Sequence, residues 1–172
     1  MRAMKIRSFR YDLLPLKDKL FRLALRITLN RPEAEDIVQD TMLKVWEKRE
    51  QTGDIDSIEA YCMTTCRNLA LDLTRRRERA NLPLDEASAD VEDSSLGVEE
   101  KMEQEERLKK VHDIFNRLPE KQRTIMQLRD IEGKSVRETA EIAGMTEENV
   151  KVTLFRARKA IREEFGKTAT EQ

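Results

Sequence analysis

Apolar residues recur along this chain at spacings of three and four, the period of helices packed on one side. Leu13, Leu16, Leu20, Leu23 and Ile27, with Phe21 and Ala24 beside them, predict a helix over 13–29. Asn30-Arg31-Pro32 interrupts it, and Pro32 suits the first turn of the next helix. There Ala34, Ile37, Val38, Thr41 and Val45 form a buried stripe, while Asp36, Gln39, Asp40, Leu43 and Glu47 occupy the other face. Residues 48–57 are polar, with Gly53-Asp54 as a turn signal. Asp56 or Ser57 then caps a third helix from Ile58 to about Arg79, which buries Cys62, Cys66, Leu69 and Leu73, with Met63 and Ala70 at the edge. Beyond an acidic stretch a helix begins near Val98 and carries Leu108, Val111, Phe115 and Leu118. Pro119 opens another with Ile125, Met126 and Leu128, and residues 130–133 turn the chain.

The stretch 134–162 reads as a short helix, a tight turn and a longer helix. Ser135 followed by Glu138 is a capping box, and Gly144 suits the left-handed residue that ends a helix. Thr146 caps the second helix, and Glu147 and Glu148 complement its dipole. Val150, Leu154, Ala157 and Ile161 form its apolar stripe. The opposite side carries Val152, Phe155, Arg156 and Lys159, flanked by Lys151 and Asn149. An amphipathic hairpin in a bundle would give the stripe. A helix-turn-helix whose second helix enters a DNA major groove would also give the exposed phenylalanine amid cations.

Composition narrows the class. Charged residues make up 39% and aromatics 5% of the 172 residues, with five glycines and four prolines, which favours all-α over a sheet protein. The plan is two small helical domains, 1–82 and 107–172, joined by an acidic flexible linker over 83–106, the second domain holding the helix-turn-helix. Each is close to the lower size at which roughly 60 residues still fold alone. The formal net charge of −1 excludes a polybasic coat, so nucleic-acid binding must come from segregated charge. Five arginines stand against Asp72 and Glu78 between 67 and 79, whereas Lys101 is the only base between 85 and 106. The first residues lack the apolar core of a secretory signal, and no run approaches the ~20 residues of a membrane span. A cytoplasmic protein without disulfides or membrane insertion is the expectation.

Candidate chemistry is sparse. Cys62 and Cys66 fall on an apolar stripe and read as inert buried thiols. His112, the single histidine, has no companion in a metal-binding spacing, so no metal or cofactor is expected. No catalytic constellation is visible, and the linker carboxylates lack a rigid frame. The arginines 75–79 fit either a helix end that favours cations or contact with phosphate. Arg67, Asn68, Leu71 and Arg75 share one side of their helix. Leu43 among Asp36, Gln39, Asp40 and Glu47, with Trp46 at its edge, fits a solvated face or a protein–protein contact with an acidic rim.

Three motifs in order, AEDIVQDTMLKVWEK, AYCMTTCRNLALDLTRRR and LPEKQRTIMQLRDIEGKSVRETAEIAGMTEENVKVTLFRARKAI, resemble the extracytoplasmic-function class of bacterial sigma factors over roughly 13–79 and 107–165. The resemblance implies a non-enzymatic specificity subunit of RNA polymerase. It implies that Glu35, Asp36, Gln39, Asp40 and Leu43 dock on the clamp of the β′ subunit, with a further contact to the β flap. The loop with Asp54, Ile55 and Asp56 would capture an unstacked base of the −10 element. Arg67, Asn68, Arg75 and Arg76 would track the DNA there. Lys151, Val152, Phe155, Arg156 and Lys159 would read the −35 duplex. The acidic linker would follow the RNA exit path, and an anti-sigma factor would be a partner. Val152 and Thr153 stand where many relatives carry a polar residue and an arginine, Tyr61 where tryptophan is common, and the loop is unusually acidic. With no room for a middle domain, dependence on both promoter elements is expected. A stand-alone helix-turn-helix regulator is the competing reading, and a hydrolase or metalloprotein using the acids and cysteines a more distant one.

Overall fold

The computed structural model describes residues 4–80 and 98–170. Of the linker expected over 83–106, residues 83–97 lie outside the described residues, and 98–106 are helical, as the first turns of a helix that begins at Val98. Eight α-helices follow in order among the described residues: α1 Lys17–Thr28, α2 Arg31–Glu47, α3 Arg49–Thr52, α4 Ile58–Arg79, α5 Val98–Arg117, α6 Glu120–Met126, α7 Val136–Ala143 and α8 Glu147–Thr170. Extended pairing among them is limited to one antiparallel bridge, Met4 with Ile55.

The first helix is less regular than its periodicity predicts. A wide turn over Phe9–Leu13 and a tight one over Leu14–Leu16 precede α1. Pro15 stands in the first turn of that tight segment, where no N–H is needed, and the regular helix starts at Lys17. Leu29 ends α1 at φ 54, a left-handed conformation that costs a leucine about 1–2 kcal/mol and that its amide partly offsets by bonding Leu25 O at 2.8 Å. Asn30 then caps α2 by accepting from the Glu33 amide, with Pro32 in the first turn as expected. The polar stretch 48–57 is not wholly loop, since α3 forms a short turn within it.

Helices α1, α2 and α4 pack on one another around Leu13, Leu20, Leu23, Ile27, Ile37, Val45, Cys62, Met63 and Cys66. Both thiols are buried and free, and burial pushes each up to about 12, so neither ionises near neutrality. Leu69 and Leu73 are only half-buried at the margin of this core, while Met42, absent from the expected stripe, is inside it. A smaller core of Ile125, Ala140, Ala143, Val150 and Leu154 holds α6, α7 and α8 together. Leu108 is 50% exposed, so the apolar run of α5 engages only from its second half, at Ile114 and Phe115, with Leu118 buried just beyond its end.

The two helical domains pack against each other. Leu128 and Ile142 of the second join the core of the first, together with Leu25 and Leu71. Helix α7 packs on α4, and α6 on α1. Leu71, which helical phase places on the side of Arg67 and Arg75, is therefore buried rather than solvent-facing: α7 covers part of that side.

Candidate nucleic-acid interface

Helix α8 presents the side chains that the pattern places outward. Its phase is fixed by Val150, Leu154 and Ala157 in the core and by Thr146, whose hydroxyl accepts from the Asn149 amide at 3.1 Å. Ser135 and Glu138 make both bonds of the capping box on α7, and Gly144 turns the chain at φ 64. Arg158 pairs with Asp130 and ties α8 back to the turn before α7, which raises the guanidinium pKa through that hydrogen bond. Against this frame Lys151, Val152, Phe155, Arg156 and Lys159 are all exposed, Phe155 at 62%. An apolar ring left in water beside three cations has the chemistry that complements thymine methyls and phosphates.

Helix α2 shows an acidic face. Glu35, Asp36, Gln39, Asp40 and Leu43 are all exposed, and Leu43 is open at 53%. Beside it Trp46 is half-buried, edge-on to Phe9 with centroids 5.8 Å apart and under the Arg49 guanidinium at 3.8 Å. Trp46 thus belongs to local packing more than to the acidic face.

The loop before α4 is held open to solvent. Asp54 and Asp56 are exposed and Ile55 half-buried. Gly53 sits at φ 70, ψ −146, a backbone state that only glycine adopts readily. Ser57 caps α4 by accepting from the Ala60 amide at 3.1 Å. Along α4, Asn68, Arg75 and Arg76 are exposed, but Arg67 is half-buried. Its Nη1 lies 3.6 Å from where a Cβ on Gly144 would sit, and burial lowers its pKa. Arg77 leaves the basic cluster altogether: it pairs with Glu33 and bonds Thr28 O, bracing α4 on α2. Arg75, Arg76 and Arg79, with Asp72 and Glu78, line an open cleft of about 730 Å³.

Three groups between the halves left no mark in the sequence pattern. Arg26 of α1 stacks on Phe115 at 3.8 Å and donates to Gln127 Oε1 at 2.9 Å and Asn116 Oδ1 at 2.8 Å. Burial, then the nearby Arg123 charge, pushes its pKa down to about 10. Lys134 donates to Glu59 Oε2 at 2.5 Å, and Lys19 approaches the other carboxylate oxygen at 2.7 Å. Burial alone would raise the Glu59 pKa, but the Lys134 and Lys19 hydrogen bonds bring it below its ordinary value. Arg22 forms a two-bond pair with Glu132. The bonds that cross between the halves join residues 75 to 110 positions apart, beyond the reach of a local pattern. The N-terminal arm, residues 4–8, leaves no mark for another reason. Its period-two signal, exposed Lys5 and Arg7 around buried Ile6, is too short to stand out.

Among the described residues, no His, Cys, Asp and Glu group is arranged to hold a metal ion, and no helix is long and apolar enough to cross a membrane. Residues 15–80 match the family described as Sigma-70 region 2, and residues 108–161 that described as Sigma-70, region 4. The chain is 30% identical over 150 residues to an RNA polymerase sigma-E factor of Streptomyces avermitilis, covering 87% of this chain and 80% of that one. It is 29% identical to RNA polymerase sigma factor SigV of Bacillus subtilis (strain 168), covering 85% and 84%. Among solved structures it is similar to the sigma factor RpoE of Bartonella quintana in complex with the anti-sigma factor NepR, with TM-score 0.78 and 25% identity over 94% of this chain and 98% of that one.

Proposed function

Since the chain belongs to the sigma-70 family, as a sigma factor of the extracytoplasmic-function type that brings RNA polymerase to promoters, we propose how its surfaces divide that work. The exposed face of α8 carries the reading: Lys151, Val152, Phe155, Arg156 and Lys159 meet the −35 duplex in the major groove. A bidentate arginine–guanine contact is worth about 1–3 kcal/mol of discrimination, and the lysines add a salt-dependent, sequence-blind term. The loop residues Asp54, Ile55 and Asp56 receive an unstacked −10 base, while Arg67, Asn68, Arg75 and Arg76 follow the backbone. Extruding a base costs a few kcal/mol, which the loop contacts must offset. The face of Glu35, Asp36, Gln39, Asp40 and Leu43 docks on the polymerase clamp, with the apolar centre and acidic rim of a protein contact.

The protein acts in the cytoplasm by binding alone, with an anti-sigma factor as a further partner, in keeping with the complex of its structural neighbour. In the arrangement seen here Arg67 and Leu71 face the second half, so full use of α4 on DNA requires the halves to part. Run-off transcription with purified core polymerase on genomic promoter fragments, with and without this chain, tests the reading. Promoter-specific transcripts should appear only with the chain. Tight duplex binding by the chain alone, with no effect on transcript choice, would instead mark a stand-alone regulator.

A further inference from the structure

The N-terminal arm, residues 4–8, is built onto the loop that the proposal above assigns to the −10 base. Both backbone groups of Ile55 go to one residue: its N–H donates to Met4 O and its carbonyl accepts from the Met4 N–H, each at 2.7 Å. The arm is itself anchored on the body of the fold. Ile6 is 6% exposed in the main core, and Phe9 packs edge-on against Trp46. Asp12 accepts from the amides of Arg7 and Ser8 at 2.8 and 2.9 Å, bonds that hold its carboxyl below the usual carboxylate range. A fixed edge is thus presented to a loop whose own residues 53, 54 and 56 are exposed.

Charge runs the same way. Asp54 and Asp56 put negative charge where a phosphate-bearing strand has to pass. Lys5 approaches Asp54 at 3.9 Å, with both side chains largely in solvent, and Arg7 is exposed on the same arm, with Arg10 exposed just beyond it. Pairing at that distance in water is weak, but reversing the sign of Lys5 adds a third carboxylate beside the loop.

We infer that the N-terminal arm is a positioning element for promoter melting: the Met4–Ile55 bridge fixes the loop 53–57 in the shape that receives single-stranded −10 DNA, and Lys5 offsets the loop's acidity toward that strand. The inference rests on the −10 assignment of the loop. A loop ordered before binding loses less freedom on capture, so the arm affects melting and leaves both −35 binding and core docking alone.

Holoenzyme assembled from core polymerase and the full chain is the material to use, read by permanganate reactivity of −10 thymines on a cognate promoter. Met4→Pro removes the Met4 N–H from an exposed position. It should lower melted complex roughly fivefold to tenfold, the equivalent of about 1 kcal/mol, with core affinity and −35 duplex binding unchanged. Met4→Ala keeps the N–H and should restore melting. Lys5→Glu should also lower it, with a deficit that shrinks as salt rises. Wild-type melting by Met4→Pro, or an equal loss in Met4→Ala, overturns the positioning role. If Met4→Pro shifts the unfolding midpoint, Lys5→Glu decides, and unchanged melting there overturns the inference. Alanine at Asp54, Ile55 and Asp56 separates the two readings. Selectivity at −10 untouched by all three refutes the loop assignment itself. Selectivity lost there while the arm variants melt normally refutes only the arm's role.

Discussion

Arg26→Ala strikes the contact that joins the two halves. The guanidinium donates to Gln127 Oε1 and Asn116 Oδ1 and lies 3.8 Å over Phe115. Hydrogen bonds from a charged donor are worth about 1.5–3 kcal/mol each, and a partly desolvated cation–π contact about 1–2 kcal/mol. Against this stands the cost of burying the charge, seen in a pKa pushed down to about 10 by burial and by Arg123. At about 1.4 kcal/mol per pKa unit that cost is about 3 kcal/mol. The net contribution is about 3 kcal/mol, on the order of a hundredfold in the docking equilibrium. Truncation also leaves Gln127 and Asn116 without a donor in a cleft of about 120 Å³ lined by Arg22, Leu25, His112 and Ile131. Dyes placed on exposed positions of α2 and α8 would report the distance between the halves by energy transfer. Arg26→Ala should lengthen and broaden that distance while helix content stays constant. An open form already populated should also bind core polymerase with higher apparent affinity, because less of the chain is held in the closed state. An unchanged distance distribution would refute the assignment of Arg26 as the principal tie, leaving Arg22–Glu132, Lys134–Glu59 and the Arg123 bonds to Arg26 O and Ile27 O as sufficient.

Acid should loosen the same contact. His112 meets Arg26 and Arg22 from α1, Asp113 and Asn116 from its own helix, and Gln127 beyond α6; burial and then Arg26 hold its pKa below the ordinary value against the pull of Asp113. The closed form therefore resists a proton that the open form accepts near pH 6.5, so this contribution to closure is complete above about pH 6.5 and shrinks as pH falls toward the depressed value. His112→Gln should flatten that step in the energy-transfer signal. Asp36→Arg should weaken core-polymerase binding roughly tenfold with helix content unchanged, as equilibrium titration would show. Arg156→Ala should reduce transcription from a cognate promoter and relax selectivity at one −35 position, by about 1–3 kcal/mol in a base-substitution series. Gly144→Ala should lower stability by about 1 kcal/mol through its positive φ, since a Cβ there meets only Arg67 Nη1 at an ordinary 3.6 Å. Thermal unfolding reads the last directly.

Most of the helical plan was legible because helices are encoded locally. Ser135 with Glu138, Gly144, Pro32 and the stripe of Val150, Leu154 and Ala157 each act over three to seven residues, and each stands in the structure where the pattern places it. The exposed face of α8 follows from the same stripe, for a helix that buries one side must offer the other. The acidic face of α2 follows likewise. Leu71 shows where this logic ends. Its phase on α4 is right, but its burial depends on α7, more than sixty residues further on.

By itself the sequence determined which segments coil, where they stop and which side of each is apolar, because those properties depend on neighbours one turn apart. Only the tertiary structure decided that the halves share a core through Leu25, Leu71, Leu128 and Ile142, that Arg26 is spent on Phe115 rather than on solvent, that Arg77 leaves the basic cluster for Glu33, and that Met4 holds Ile55. Each of those depends on two distant segments meeting. The free energy of such a meeting comes from surfaces that no single window of the chain contains.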